Sequence, residues 1–289
     1  MSTIHNDLLG CEQTFVDTGK YRSRIIEKGE GTPLILMHGG GGHAETYARN
    51  MDRLSKVCHP IAIDFIWHGM SSAPKYDEGN WLKQFTDQIL NFMDHRGIEK
   101  AFIEGESLGG WIVYDMAINH PDRVAGAILN TAWGMKFKPG AVEETVSDLD
   151  SLRTTSLNAL NNPNRETIKA RLDWLMPLGG ATDELVELRY KLWTIPQTKN
   201  ALLEYYDRLF HPSCQGYLFN EEHIQTISVP TLVLWTDKNP FHGEDVAEYL
   251  KSLIKGSDLH IMRNAAHWPQ WELPEEHDEV VTKFIQKND

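Results

Sequence analysis

The chain reads GESLGG at residues 105–110, one residue after the apolar run 101–103 and directly before a helical pattern that begins at Trp111. A GxSxG in this strand-turn-helix context is typical of a sharp turn that strains its serine, and glycine neighbours tolerate such a turn. The turn lifts the serine oxygen above the edge of a sheet, and the following helix aims its first N–H groups at a developing oxyanion. The stretch therefore predicts a nucleophile, Ser107.

Outward from this turn, short apolar runs alternate with helical patterns along much of the chain. The runs lie at residues 33–37, 60–63, 101–103, 125–129, 230–235 and 258–262. Near-continuous apolar strands separated by helices are what a parallel sheet covered on both faces requires. We therefore predict an α/β fold with a mostly parallel, doubly wound sheet.

Strand signals disappear between residues 134 and 222, where helical periodicity replaces them. It covers residues 142–160, 165–176, 183–193 and 198–210, with proline or glycine at the breaks. We predict that residues 1–133 and 223–289 form the core. Residues 134–222 would then form a helical lid inserted after the sixth strand.

Composition excludes several function classes. The 289 residues carry 28 Lys and Arg against 41 Asp and Glu, a formal net charge of -13, which repels phosphate backbones and anionic lipid. No apolar segment approaches the roughly 20 residues that span a bilayer. Three scattered cysteines without CxxC spacing fit reduced thiols. We predict a cytoplasmic protein with a small-molecule substrate and without nucleic-acid or membrane partners, and we leave a homo-oligomer open.

A glycine loop, HGGGGH at residues 38–43, closes the first of these apolar runs. Its uncovered N–H groups allow a negatively charged oxygen to approach. A Walker phosphate loop would need Lys followed by Ser or Thr after the glycines, but residues 44–46 read AET. We predict an oxyanion hole whose donors are the N–H groups of Gly40 and Leu108. No HExxH-like spacing occurs, so we expect no metal and no cofactor.

A serine hydroxyl needs a base, and 13 histidines are candidates. His267 lies in the polar loop RNAAHWP, residues 263–269, directly after the last apolar run. The chain order nucleophile, acid, histidine puts the base there. We predict that His267 deprotonates Ser107.

Four segments of the chain together resemble the α/β-hydrolase superfamily. They are HGGGGHAETY, AIDFIWHGMS, GESLGG and NAAHWPQWELPE. More narrowly, they resemble the meta-cleavage product hydrolases, which cut carbon-carbon bonds in ring-fission dienoates. The similarity covers roughly residues 14–130 and 225–287. It implies an α/β-hydrolase fold, with Ser107 as nucleophile, His267 as base, and Gly40 and Leu108 as oxyanion donors.

The same resemblance implies a substrate pocket. Trp268 matches a tryptophan beside the family's histidine, and Phe241 matches an aromatic residue of the pocket. Arg189 resembles a lid arginine that meets the charged end of the substrate. We also expect substrate contacts from three neighbours of the predicted oxyanion donors and nucleophile: Gly39, Gly41 and Glu106.

Two positions depart from the family pattern. The family usually has Asn directly before the nucleophile, where this chain has Glu106, and a second acidic group near an anionic dienoate is unfavourable unless it is turned away or paired. At the position of the triad acid the ungapped match is Asn239, and the available carboxylate is Asp237, two residues earlier. An amide that held the imidazole in the wrong tautomer would cost about 10⁴ in turnover, by analogy with serine proteases. The sequence leaves both residues open as the partner of His267.

Our leading prediction is a cofactor-free serine hydrolase that acts on a carbonyl compound, specifically by carbon-carbon bond hydrolysis of a 2-hydroxy-6-oxo-dienoate-like compound. A carboxylesterase acting on a small or aromatic ester would use the same residues. A ligand-binding homologue with impaired catalysis is a third interpretation, and Asn239 favours it. Dehalogenases and epoxide hydrolases resemble this fold but use Asp at the elbow, so Ser107 excludes their covalent chemistry.

Overall fold

A single eight-stranded sheet organises the fold of the computed structural model, which describes residues 3–138, 140 and 146–289, and only the backbone of residues 146–149. The strands are β1 Glu12–Asp17, β2 Arg22–Glu27, β3 Pro33–Met37, β4 His59–Ile63, β5 Ala101–Glu106, β6 Val124–Asn130, β7 Thr231–Thr236 and β8 Asp258–Met262. Their order in the sheet is β1-β2-β4-β3-β5-β6-β7-β8. The pairs β1–β2 and β2–β4 are antiparallel, and the remaining neighbours are parallel.

Helices connect these strands. In the described residues the α-helices are α1 Ile4–Asp7, α2 Met51–Leu54, α3 Lys83–His95, α4 Leu108–Asn119, α5 Val146–Asn161, α6 Arg165–Leu175, α7 Asp183–Thr194, α8 Pro196–Leu209, α9 Glu221–Ile224, α10 Glu244–Leu253, α11 Pro269–Glu272 and α12 Pro274–Asn288. Short 3₁₀ helices cover Ala44–Tyr47, Pro121–Arg123 and Pro212–Tyr217. Among the described residues, no helix combines the length and the apolar character needed to cross a membrane.

The sheet is covered on both faces, as the apolar runs predicted. In β3, Ile35 and Met37 belong to the same core as α3 and α4, whereas Leu34 and Leu36 belong to a second core with α12. Successive strand residues point to opposite faces, so a strand buried on both sides must be apolar throughout. The prediction of a doubly wound, mostly parallel sheet is confirmed.

The sequence patterns missed β1 and β2, the two strands at one edge. Only Val16 of the six residues of β1 is buried, and the other five are exposed. An edge strand with one buried side chain gives no hydrophobic periodicity, so its pairing with β2 sets the strand instead.

Between β6 and β7 the chain forms the four insertion helices, α5–α8. Their bounds agree within a few residues with the helical periodicities, except that residues 142–145 of the first lie outside the described residues. The Asn164 side chain accepts a hydrogen bond from the Thr167 N–H to begin α6, and Thr182 caps α7 in the same way. Such caps satisfy N–H groups that have no partner inside the helix.

Candidate active site

Ser107 occupies the turn between β5 and α4, with φ 51° and ψ -111°. A positive φ is uncommon for a residue with a side chain and persists only where the surroundings impose it. Here the Ser107 N–H donates to the Asn130 carbonyl (3.2 Å), and the Ser107 carbonyl accepts from Gly110 (2.8 Å) and Trp133 (2.9 Å). The half-buried serine is thus held above the carboxyl edge of the sheet, as the GxSxG motif predicted.

Close backbone approach explains the glycines around this serine. A Cβ atom at Gly105 would lie 2.1 Å from the Gly109 carbonyl oxygen, and one at Gly109 would lie 2.4 Å from the Met37 carbonyl oxygen. Both distances are far inside van der Waals contact, so a side chain at either position would push α4 away from the sheet.

The glycine loop after β3 lies beside the elbow. Gly40 and Leu108, the predicted oxyanion donors, both line the cavity that Ser107 faces. Leu108 is the first residue of α4, so its N–H has no acceptor within the helix. Gly39 also lines the cavity.

Gly41, predicted to contact substrate, lies instead against the insertion helices. It is not among the described residues that line the cavity. Its carbonyl accepts a hydrogen bond from Trp193 Nε1 (3.0 Å), and a Cβ at this position would lie 2.6 Å from Tyr206 Oη. Gly41 therefore fixes the loop against α7 and α8, and its contact with substrate stays a prediction.

His267 lies between β8 and α11 and is 3% exposed. The backbone N–H of His267 donates to the Leu175 carbonyl at the end of α6 (3.2 Å), and the backbone carbonyl of His267 accepts from Thr131 Oγ1 (2.9 Å). Glu272 accepts the N–H groups of both neighbours, Ala266 and Trp268, at 3.0 Å each. Four hydrogen bonds therefore fix the backbone that presents the imidazole to the cavity.

Burial raises the pKa of Glu272 from 4.5 to about 7, although the two backbone N–H groups favour its carboxylate form. The folded state binds this proton more tightly than the unfolded state. The contribution of protonated Glu272 to the stability of the fold is therefore complete below pH 4.5 and is lost as the pH rises to about 7.

We expect the difference in unfolding free energy between the wild type and Glu272→Gln to fall by about 2 kcal/mol between pH 4.5 and pH 8. Solvent screening of a side chain that is not fully buried reduces the full effect to this size. Urea unfolding of both proteins at each pH measures it. Glu248→Gln, at an exposed position of α10, should show a flat difference, and a flat or rising difference for Glu272→Gln would refute the effect.

Asn239 is the partner of the imidazole. His267 Nδ1 lies 3.0 Å from Asn239 Oδ1. The same oxygen accepts the Phe241 N–H at 3.2 Å, and because a backbone N–H can only donate, it identifies the facing amide atom as oxygen. Nδ1 must then carry the proton, which leaves Nε2 of the neutral ring free to act as a base.

Asp237, the alternative partner of His267, faces away from the ring. Its carboxylate accepts the Asn264 N–H at 2.8 Å and pairs with Lys238 at 3.2 Å. These contacts lower the pKa of Asp237, against the opposing effect of partial burial. Asp237 is therefore a turn residue, and its candidacy as the triad acid is corrected in favour of Asn239.

Glu106, directly before the nucleophile, points into the same space. Its Oε2 accepts the Gly39 N–H at 2.6 Å, and its Oε1 lies 3.1 Å from His267 Nε2. The side chain is 1% exposed and lines the cavity. Within the described part of the chain, no hydrogen bond joins Ser107 Oγ to Nε2, as is common at catalytic sites before substrate binds.

The cavity over Ser107 has a volume of about 280 Å³. The core contributes Gly39, Gly40, Glu106, Phe241, His267 and Trp268 to its lining. The insertion helices contribute Arg171, Leu175, Tyr205 and Tyr206 from the opposite side. Phe241 packs against the imidazole, with ring centroids 4.6 Å apart. Phe241 and Trp268 thus lie where the family resemblance implied.

Arg189, predicted to meet the substrate, is buried between Trp193 and Trp268, 5.5 Å and 5.3 Å from their ring centroids. It is not among the described residues that line the cavity. Burial, and then the charge of Arg171, lower its pKa to about 10. Its Nε and Nη2 are buried without a partner among the described residues, and its contact with substrate stays a prediction.

Arg171 faces the cavity instead, and the sequence analysis did not single it out. It is 3% exposed; Nε donates to Ser156 Oγ at 2.8 Å, and Nη1 is buried without a partner among the described residues. Leu175, whose carbonyl binds the His267 N–H, lies one helical turn further along α6. That spacing was the available signal, but only the fold shows which helix face covers the cavity.

In the described residues, no group of three or more His, Cys, Asp or Glu side chains could hold a metal ion. The polar groups that converge on the cavity are instead a serine, a histidine, a carboxyl group, an amide and an arginine. This set can support nucleophilic attack and proton transfer on an organic substrate.

Comparisons with known proteins identify the family of this chain. A family model described as the alpha/beta hydrolase fold matches residues 32–274. A 2-hydroxymuconate semialdehyde hydrolase of Pseudomonas putida is 27% identical over 280 residues, covering 93% of this chain and 92% of the relative. A solved meta-cleavage product hydrolase from Pseudomonas fluorescens IP01 is 25% identical, with a TM-score of 0.78 and coverage of 97% of this chain and 100% of that chain.

A solved carboxylesterase from Bacillus subtilis has a TM-score of 0.77 at 20% identity and covers 98% of this chain and 95% of its own. At that identity the likeness shows the fold alone, so the fold does not separate the two chemistries. Because the family match spans most of the sequence, the chain belongs to the α/β-hydrolase family. The predicted resemblance to meta-cleavage product hydrolases is confirmed.

Proposed function

We propose that this protein is a cofactor-free serine hydrolase that acts on a carbonyl compound, with Ser107 as nucleophile and His267 as base. The observation that carries the proposal is the conformation of Ser107, a strained, non-glycine elbow at a cavity that it shares with His267. Strain of this kind persists where it serves a site. The specific reaction proposed is carbon-carbon bond hydrolysis of a 2-hydroxy-6-oxo-dienoate-like compound, by analogy with the relatives.

In the proposed cycle, the Ser107 Oγ proton moves to His267 Nε2 as Oγ bonds to the carbonyl carbon. The resulting oxyanion accepts the N–H groups of Gly40 and Leu108. Nε2 then gives its proton to the departing carbon, which leaves an acyl-serine. Water deprotonated by Nε2 hydrolyses this ester and returns the proton to Oγ. For a dienoate substrate, His267 also moves the proton that converts the enol to its keto form before the bond breaks.

The proposed division has a core of residues 1–133 and 223–289 and a lid of residues 134–222 over Ser107. The helices α5–α8 support this division. Tyr205 and Tyr206 of α8 and Arg171 of α6 line the cavity opposite the catalytic residues. We place the reaction in the cytoplasm, because all three cysteines are free. We make its partner a small molecule by analogy with the relatives. The number of subunits stays open in this proposal.

Arg171 favours an anionic substrate. A buried guanidinium without a carboxylate partner is costly, and a substrate carboxylate would supply the missing charge. Glu106, on the core side of the cavity, opposes an anion at its own end. Together the two charges orient an acidic substrate with its carboxylate toward α6.

We expect Arg171→Gln to raise KM about 30-fold for the mono-p-nitrophenyl ester of glutaric acid and to leave KM for p-nitrophenyl butyrate within about threefold. The matched control is Arg153→Gln, an exposed arginine of the same cavity, where solvent screening predicts less than a threefold change for either ester. Steady-state kinetics on both esters measures this. Equal changes on the acidic and the neutral ester would contradict a carboxylate-binding role.

A carboxylesterase is the second candidate, and Glu106 favours it, because a buried carboxyl group beside the nucleophile disfavours a dienoate anion. A ring-fission dienoate and a neutral p-nitrophenyl ester offered to the same preparation separate the two. Rapid loss of the dienoate absorbance with slow ester turnover supports carbon-carbon hydrolysis, and the reverse supports the esterase. If neither compound is turned over but a fluorophosphonate reacts quickly at Ser107, Ser107 is still the nucleophile and both proposed substrates are rejected.

A further inference from the structure

The two nitrogens of His267 face groups of different charge. Nδ1 faces the neutral amide of Asn239 at 3.0 Å, and Nε2 faces the carboxyl group of Glu106 at 3.1 Å. In the serine-protease template, a carboxylate at Nδ1 orients the ring and stabilises the imidazolium that forms during the reaction. Asn239 can orient the ring but carries no charge. The negative charge beside this imidazole therefore lies at Nε2.

Glu106 and Nε2 approach each other in a buried space. Oε1 lies 3.1 Å from Nε2 without making a hydrogen bond. Both side chains are at most 3% exposed, so each strongly feels any charge on the other.

Glu106 has few other partners. Its Oε2 accepts one backbone hydrogen bond, from Gly39, and within the described ranges no lysine or arginine lies in ion-pair distance of it. A buried carboxylate with a single neutral donor is poorly compensated. An imidazolium at His267, which forms when Nε2 takes a proton, would be the nearest charge to this carboxylate, and Arg189 contributes at longer range.

We propose that Glu106 is a catalytic residue that supplies, at Nε2, the charge that position 239 lacks. This inference rests on the proposed serine-hydrolase function. The Glu106 carboxylate lies beside Nε2 when Nε2 takes the Ser107 proton, as Oγ bonds to the carbonyl carbon. The carboxylate stabilises this imidazolium until Nε2 donates the proton to the leaving group.

A purely structural role is the competing explanation, in which Glu106 only anchors the Gly39 N–H and thereby the oxyanion loop. The two explanations differ in how Glu106 and position 239 interact. If Glu106 supplies charge, a new carboxylate at position 239 replaces its effect. If Glu106 only anchors the loop, a carboxylate at position 239 does not change the loss of activity that follows when Glu106 is replaced.

The experiment is a double-mutant cycle of Glu106→Gln and Asn239→Asp, read as kcat/KM on one ester and as the pH dependence of that rate. We expect Glu106→Gln alone to lower kcat/KM about 100-fold and to move the acidic limb of the profile to lower pH, because the imidazolium loses its counter-charge. In the Asn239→Asp background, the same substitution should cost less than about tenfold. An equal cost in both backgrounds, or no cost in the wild type, would overturn the proposal.

Controls separate chemistry from folding. Glu276→Gln removes the carboxylate of another Glu–His pair, with His260 at 2.8 Å on the surface, and should leave kcat/KM within twofold. If Glu106→Gln does not fold, Glu106→Asp keeps the charge and should keep the acidic limb at the wild-type pH. A limb that moves in Glu106→Asp refutes the role of charge. Fluorophosphonate labelling of wild-type Ser107 is the separate test of the hydrolase function, so failure of one does not imply failure of the other.

Discussion

Ser107→Ala should lower kcat by about 10⁴- to 10⁶-fold on any substrate that the wild type turns over. The substitution removes the atom that forms the bond to the carbonyl carbon, and what remains is the activity of the oxyanion donors and of binding. Alanine adopts the same positive φ at a similar cost, so the elbow should keep its shape. Steady-state assays with a dienoate and a p-nitrophenyl ester measure the effect.

Two controls accompany this variant. Ser252→Ala changes an exposed serine of α10, whose hydroxyl donates to the Tyr249 carbonyl, and should leave kcat unchanged. The thermal unfolding midpoint of Ser107→Ala should stay near that of the wild type. A folded Ser107→Ala protein that keeps more than about 1% of the wild-type kcat would exclude serine as the nucleophile.

His267→Ala should lower kcat by a similar factor, because a hydroxyl without a base is a weak nucleophile. Residues that act as one unit are strongly non-additive, so the double variant with Ser107→Ala should be no slower than either single variant. The assay is the same, with His260→Ala as a control on a partly exposed histidine that pairs with Glu276. Independent, multiplying losses in the double variant would show that the two residues do not share a step.

The fold was predictable because its evidence is local. Apolar runs such as residues 33–37 become strands buried on both faces, and their side chains are apolar for that reason. The glycines of the elbow were visible for a similar reason, because no side chain fits between Gly105 and the Gly109 carbonyl. Strand β1 escaped prediction because it buries one side chain and depends on its neighbour.

The site was only partly predictable because its contacts are distant in sequence. Ser107 and His267 follow from motif and chain order, but Glu106 and His267 are 161 residues apart and meet only in the folded chain. Asp237 and Asn239 could not be separated by sequence, since the turn after β7 decides which side chain faces the ring. The Phe241 N–H settles the amide orientation, and with it the concern that Asn239 would hold the wrong tautomer.

The central claim is tested most directly by exposing the wild type, Ser107→Ala and His267→Ala to a fluorophosphonate and measuring intact mass and the labelled peptide over time. The account predicts one added group on wild-type Ser107 within minutes, none on Ser107→Ala, and labelling slowed at least about 100-fold in His267→Ala. Label on another residue, or equally fast labelling of Ser107 without His267, would contradict it.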